Sequence, residues 1–310
     1  MKLSPATRRN LSIAAAVLIT AAAVYGLVRA FSDNWDEVRQ AWRDADWWML
    51  GGSIVVACLA VAGFGERWHA TLRALGEPLH RTDALRWFFT GQIGKYAPGG
   101  VWHVVGQGEL AARGGVLRRT AYASVMICTV ILVGGAALTV AVGAALPLHA
   151  ATPWWAVFLG AGIVAALFVP PVRRRLLKAA GVADPNALPT VTLLRLVIGS
   201  VPAWIAVGVA SAMVTHALHQ DVAMGRAALS AVASWLVGIV TLPAPGGIGV
   251  REAVFAAGLS RRGGISSGSA ALVSLIARLV FVVADVALFA VARFVRRREP
   301  AAVSSPSTAP

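Results

Sequence analysis

Acidic residues are scarce in this sequence: 14 Asp and Glu stand against 28 Lys and Arg in 310 residues, so charged residues make up only 14%. A typical soluble domain carries about 25%. With 57% hydrophobic residues and a mean hydropathy of +0.70, the chain falls outside the ordinary soluble classes. Cysteine is nearly absent too. Cys58 and Cys128 both sit in apolar segments, which excludes a disulfide framework and a cysteine-built metal site. His216 and His219 have metal-compatible spacing but no third or fourth ligand, so they read as part of a polar external loop. The glycines from Gly91 to Gly106 lack the Gly-Lys-Ser/Thr ending of a nucleotide loop. None of these patterns implies a cofactor or a metal.

What the chain has in abundance is apolar runs about as long as a bilayer is thick. Seven read as clean spans: 11–31, 47–65, 120–146, 152–170, 191–215, 226–242 and 266–292. The net charge of +14 is carried largely by short clusters between these runs, Arg8-Arg9, Arg118-Arg119, Arg173 to Arg175 and Arg296 to Arg298. That distribution reads as positive-inside topology and attraction to anionic lipid headgroups rather than to nucleic acid. The fold class expected is therefore all-α: a polytopic membrane protein of about seven or eight spans, with two helix-breaking segments. It divides into a cytoplasmic N-terminus (1–10), a transmembrane domain (11–295) and a basic, then disordered, tail (296–310). The acidic loop 32–46 reads as outer side. The mostly basic stretch from Glu66 to Arg86, with Trp68, Leu72 and Leu75 on one side, reads as a cytoplasmic segment able to lie in the headgroup plane.

Two stretches break the apolar pattern in the same way. Pro243, Pro245, Gly246, Gly247 and Gly249 lie between two apolar segments and are followed by Arg251-Glu252. Ala97-Pro98-Gly99-Gly100-Val101 matches Ala244-Pro245-Gly246-Gly247-Ile248 at a spacing of 147 residues. Proline removes a backbone donor and glycine admits geometry that other residues resist, so a straight helix through either stretch is not expected. In lipid such a break survives only where protein or a water-filled cavity satisfies the freed backbone groups. Residues 84–112 read as two half-helices of a re-entrant hairpin, and 250–260 as helix. Paired interruptions of this kind point to a substrate site at a repeat interface. Whether the recurrence is parallel, inverted or coincidental stays open, as does the parity of crossings.

A half-helix that starts at a proline-glycine-glycine break presents unpaired N–H groups and the positive end of its dipole. Gly99, Gly100, Gly246 and Gly247 are therefore candidate anion seats, with Lys95 before the first break and Arg251 after the second. A phosphate, phosphodiester or diphosphate headgroup suits them. The plainer alternative is that the glycines permit tight helix contacts and the cations face the headgroup zone. Arg278 and Asp285 stand inside the last apolar run, seven residues apart and on a common helical face. Ionised groups there are costly unless they face a cavity or a partner. Arg278 is expected to assist phosphate binding and Asp285 to orient a cation, while Arg195 snorkels at a membrane edge. Glu109 and Glu252 could pair with Arg113 and Arg251, or serve as general bases in an enzyme. Trp102 and His103 read either as site lining or as an interfacial tryptophan beside an incidental histidine.

The run from Leu242 to Glu252, with Arg278 in the next span, resembles the lysylphosphatidylglycerol synthetase transmembrane, or flippase-like, family. Arg73 and the segment from Gly91 to Trp102 are similar to that family as well, so the resemblance covers about residues 10–295. By position Pro245, Gly246, Gly247, Gly249, Arg251, Glu252 and Arg278 carry the common pattern. Lys95, Tyr96, Pro98, Gly99 and Trp102 match the first motif of a subgroup. The resemblance implies a bacterial plasma-membrane protein, multi-pass with its N-terminus cytoplasmic. It is related to domains that translocate aminoacylated phosphatidylglycerol, with stand-alone relatives linked to polyprenyl-phosphate sugars. Only a short tail follows residue 295, so without a large soluble transfer domain the chain is not expected to make the aminoacylated lipid itself. The leading expectation is translocation of an anionic or zwitterionic phosphate-containing lipid headgroup, with no catalytic residue. Partners expected are a membrane phospholipid or polyprenyl-phosphate-linked substrate, anionic headgroups and an envelope-lipid synthesis enzyme. A membrane-embedded enzyme acting on lipid-linked substrates and a noncatalytic scaffold for envelope-lipid synthesis are the alternatives.

Overall fold

The structure is a computed structural model that describes residues 32–33, 35–96, 101–145, 162, 165, 169–179, 188–240, 249–261 and 264–294. Within them the chain is helical throughout: α1 (Trp35–Arg43), α2 (Trp47–Ala74), α3 (Arg81–Gln92) and a 3-10 turn at Ile93–Tyr96, then α4 (Trp102–Arg113) and α5 (Arg118–Ala145). There follow α6 (Pro170–Ala179), α7 (Thr190–Ala217), α8 (Met224–Val240), α9 (Val250–Ser260) and α10 (Ser267–Phe294). The expected spans 11–31 and 152–170 and both Pro-Gly-Gly turns lie outside the described residues, apart from isolated positions in the second of those spans.

Among the described residues four helices, α2, α5, α7 and α10, are long and apolar enough to cross a membrane, and each is 28 residues. At 1.5 Å per residue that is about 42 Å, enough for a hydrocarbon core of about 30 Å with its interfaces. Asp46 starts α2 by accepting hydrogen bonds from the Trp48 and Met49 amides, both at 3.0 Å, and so satisfies two of the donors a helix start leaves open. The same order of elements then occurs twice: long helix, short helical hairpin, long helix.

The two halves run in opposite senses. The Asp46 amide at the start of α2 donates to the Ala217 carbonyl at the end of α7, 2.8 Å away. Further along, Gly63 faces Ala203 and Gly199 faces Arg67, so α2 and α7 are antiparallel. The first hairpin, α3 with α4, follows the C-terminal end of α2, and the second, α8 with α9, follows the C-terminal end of α7. The hairpins therefore enter the bundle from opposite ends. Arg86 on α3 donates to the Ala292 carbonyl near the end of α10, 3.3 Å away, and Arg226 on α8 donates to the Arg261 carbonyl beyond α9, 3.1 Å away.

Each hairpin is closed by a glycine contact. A Cβ on Gly91 would lie 2.7 Å from the Gln107 amide nitrogen, and one on Gly258 would lie 2.7 Å from the Ser230 Cβ. Both contacts flank their breaks nearly symmetrically, as antiparallel limbs require.

Three expectations are sharpened or changed in this setting. The stretch expected as a span at 226–242 is described as a 17-residue helix, α8, packed antiparallel against α9, and its last two residues lie outside the described residues. The segment after Glu66 does not lie in a headgroup plane. It continues α2 to Ala74, and Trp68 and Leu72 are fully buried, with the Trp68 indole donating to Ser124 Oγ at 3.0 Å. The acidic loop 32–46 contains a helix, α1, in which Val38 is buried against the bundle.

Candidate functional site

The tips of the two hairpins meet α10 at mid-bundle. α10 offers Arg278 and Asp285 two helical turns apart on one face, as their seven-residue spacing requires. From the first hairpin, the 3-10 turn brings up Lys95 and Tyr96. Lys95 Nζ lies 2.6 Å from Asp285 Oδ2, and the Tyr96 hydroxyl donates to the same oxygen at 2.5 Å. Asp285 is 2% exposed. Its other oxygen, Oδ1, is buried with no partner.

From the second hairpin, α9 begins at Gly249, whose φ of +87 lies in the left-handed region where a side chain would be strained. That turn lets Glu252 fold back: its Oε2 accepts from the Gly249 amide at 2.7 Å, and its Oε1 pairs with the Arg278 guanidinium. Glu252 is 4% exposed. A carboxylate this buried is tolerated because both oxygens are engaged, one by a cation and one by a backbone donor.

Arg251 is held differently. Its guanidinium carbon lies 3.6 Å from the centre of the Trp235 ring and 5.6 Å from that of Phe281. Trp235, on α8, stands between the two tips: Lys95 Nζ is 6.0 Å from its ring, and Phe281 and Trp204 pack edge-on against it at 5.6 and 6.0 Å. Three cations and two carboxylates meet here. Lys95 pairs with Asp285 and Arg278 with Glu252, so among the described residues Arg251 is the cation of this cluster that has no carboxylate partner.

Of the residues singled out from sequence, Lys95, Tyr96, Arg251, Glu252, Arg278 and Asp285 come together. One pairing differs from expectation, since Glu252 takes Arg278 rather than Arg251; Asp285 faces a cation, Lys95, together with the Tyr96 hydroxyl. Gly99, Gly100, Gly246 and Gly247 lie outside the described residues. Trp102 is half exposed at the start of α4, where it and His103 lie with their backbone against Gly94. Glu109 is far from Glu252 in its bonding: it takes Arg118 at 2.9 Å, with Arg113 at 3.6 Å, and ties α4 to α5. His219 accompanies the Asp44 carbonyl at 2.8 Å. Among the described residues no group of three or more His, Cys, Asp or Glu could hold a metal ion. Sequence reasoning missed Trp235. Its signal was its place in the middle of an apolar segment, since tryptophans of membrane helices gather at the interfaces.

The family described as lysylphosphatidylglycerol synthase TM region matches residues 13–288. The chain belongs to this family. No curated protein matches the chain. Membership in the lysylphosphatidylglycerol synthase TM family, together with the four long apolar helices, makes this a polytopic membrane protein that handles lipid headgroups. Within that family region, the cluster of Lys95, Trp235, Arg251, Arg278 and Asp285 is where the second half of the chain meets the tip of the first.

Proposed function

We propose that the protein translocates a phosphate-containing lipid headgroup across a bacterial plasma membrane, with the phosphate meeting Arg251 between the two hairpin tips. The observation that carries this reading is the cation left over: Arg251 sits on an aromatic face at mid-bundle while every neighbouring charge is paired. A half-buried cation without a carboxylate suits an anion that comes and goes. The lipid chains stay in the bilayer, and no covalent step is required.

On this reading the hairpins are re-entrant. The limbs α3, α4 and α9 are 11 or 12 residues long, about half of what a bilayer crossing needs. The end of the bundle with Arg73, Arg81, Arg86, Arg113, Arg118, Arg119 and Arg293 is the cytoplasmic one by positive-inside bias, and the end with Asp36, Asp44, Asp46 and Asp221 faces out. The first hairpin then opens from the cytoplasm and the second from outside. With 11–31 and 152–170 as spans, six crossings return the basic C-terminus to the cytoplasm. Seven crossings would instead leave the basic C-terminus outside, against the positive-inside bias.

The test is leaflet translocation in proteoliposomes, with labelled aminoacyl-phosphatidylglycerol and a polyprenyl-phosphate sugar in parallel. Protein-dependent movement of one headgroup, lost in folded Arg251→Ala, is the expected result. Movement that survives Arg251→Ala, or no movement of either lipid under ion gradients, contradicts it.

A further inference from the structure

Beside Arg251 the bundle holds a small cavity whose polar lining is Ser211 of α7, Ser234 of α8, Ser274 of α10, and Arg251 and Glu252 of α9. All three serines are buried, at 2%, 1% and 3% exposure. Their hydroxyl protons are already committed: Ser211 donates to the Val207 carbonyl at 2.9 Å, Ser234 to Ala231 at 2.7 Å and Ser274 to Ala271 at 2.9 Å. What the serines turn toward the cavity is therefore lone pairs only. Three helices thus supply acceptors, and no serine proton is left to donate.

Arg251 is the natural complement. A guanidinium resting on an aromatic ring uses its π face there, while its N–H donors point outward in its own plane and still need acceptors. Glu252 lines the same cavity but gives its oxygens to the Gly249 amide and Arg278, and among the described residues it makes no hydrogen bond to Arg251. A single water fits what remains. It accepts from an Arg251 N–H and donates to two serine oxygens, which gives it the partners a buried water requires. A sodium ion suits the acceptors but not the neighbouring guanidinium charge.

We propose that Ser211, Ser234 and Ser274 form a water-bridged hydroxyl cradle that holds Arg251 in position without a carboxylate, and so leaves its charge available to a headgroup phosphate. The inference rests on the reading of Arg251 as the phosphate seat. The serines are positioning residues: they act through Arg251 and do not touch the lipid. A carboxylate in their place would hold the arginine equally well but would compete with phosphate for it.

The test is a double-mutant cycle. The full-length protein in a neutral detergent is titrated with dihexanoyl phosphatidylglycerol, a monoanionic phosphodiester, and its thermal midpoint is measured alongside. The triple variant S211A/S234A/S274A is expected to bind about tenfold more weakly, a coupling of about 1.4 kcal/mol, with its unliganded midpoint within a few degrees of the parent. The same substitutions in an Arg251→Ala background are expected to change affinity no further, and Ser234→Thr, which keeps the oxygen, to retain parental affinity. If the triple variant does not fold, the single alanine variants carry the same cycle with effects of about two- to threefold each. Binding unaffected by Arg251→Ala, or absent from the parent protein, overturns the headgroup reading and the cradle with it. Binding lowered by Arg251→Ala but untouched by the serine variants, or lowered by them equally in both backgrounds, overturns the cradle alone.

Discussion

The two hairpins reach the same depth by the same architecture and bring opposite chemistry. The first delivers a cation and a phenol, Lys95 and Tyr96, to a carboxylate on α10. The second delivers a carboxylate, Glu252, to a cation on α10, and adds Arg251. Both are therefore fastened to one helix. α5, which holds the corresponding place in the first half, has no charged residue between Arg119 and its end at Ala145. The scaffold recurs but the chemistry does not: one long helix is a smooth wall, and the other is the post to which both tips are tied.

Breaking the second tie should cost most. Arg278→Ala leaves Glu252 buried without its cation, a situation that costs about 3–5 kcal/mol. Unfolding of the micelle-bound protein by sodium dodecyl sulfate should show the loss, with partial recovery in Glu252→Gln/Arg278→Met, where neither charge remains. Asp285→Asn should cost less, about 2 kcal/mol, because Lys95 is 20% exposed at its side chain and can turn toward water. The amide should also release the first tip alone, seen as faster labelling of a cysteine placed at the exposed Val101 while one at the exposed Ala253 is unchanged.

The glycine closures sharpen the comparison at smaller scale. Gly91→Ala meets the backbone of Gln107, which cannot yield, and should cost about 2 kcal/mol by overpacking. Gly258→Ala meets the Ser230 side chain, its Cβ included, and should cost somewhat less, with Ser230→Gly relieving the contact where Ser230→Ala does so only in part. At the bottom of the scale is the exposed Arg81–Glu66 pair at the mouth of the first hairpin, 2.5 Å apart. Arg81→Ala should leave unfolding indistinguishable from the parent protein.

Much of this was legible in the sequence. The half-helix limbs on either side of the two Pro-Gly-Gly stretches and the charges Lys95, Arg251, Arg278 and Asp285 in or beside apolar runs announce themselves, because a charge inside an apolar run is costly and so rarely idle; the Pro-Gly-Gly turns themselves lie outside the described residues. Spacing also placed Arg278 and Asp285 on one face. Partner choice was not legible. Helical periodicity says which residues share a face, but not that Asp285 meets a hairpin 190 positions earlier in the chain, or that Glu252 reaches across to α10 rather than to its neighbour Arg251. Composition at 226–242 did not reveal that α8 packs back to back with α9, since a helix paired in this way is as apolar as a lone span: both are surrounded by other helices. The serine oxygens were invisible for a similar reason: in a sequence, three serines spread over three helices resemble ordinary small packing residues.

The claim at the centre of this account is that Arg251, alone in its cluster, is left free for a phosphate. Native mass spectrometry of the protein released from phosphatidylglycerol-containing nanodiscs tests it most directly, comparing the parent with Arg251→Gln and with the exposed Arg261→Gln as control. One retained phospholipid in the parent and in Arg261→Gln, and none in Arg251→Gln, is the result predicted. Equal retention in all three would contradict it.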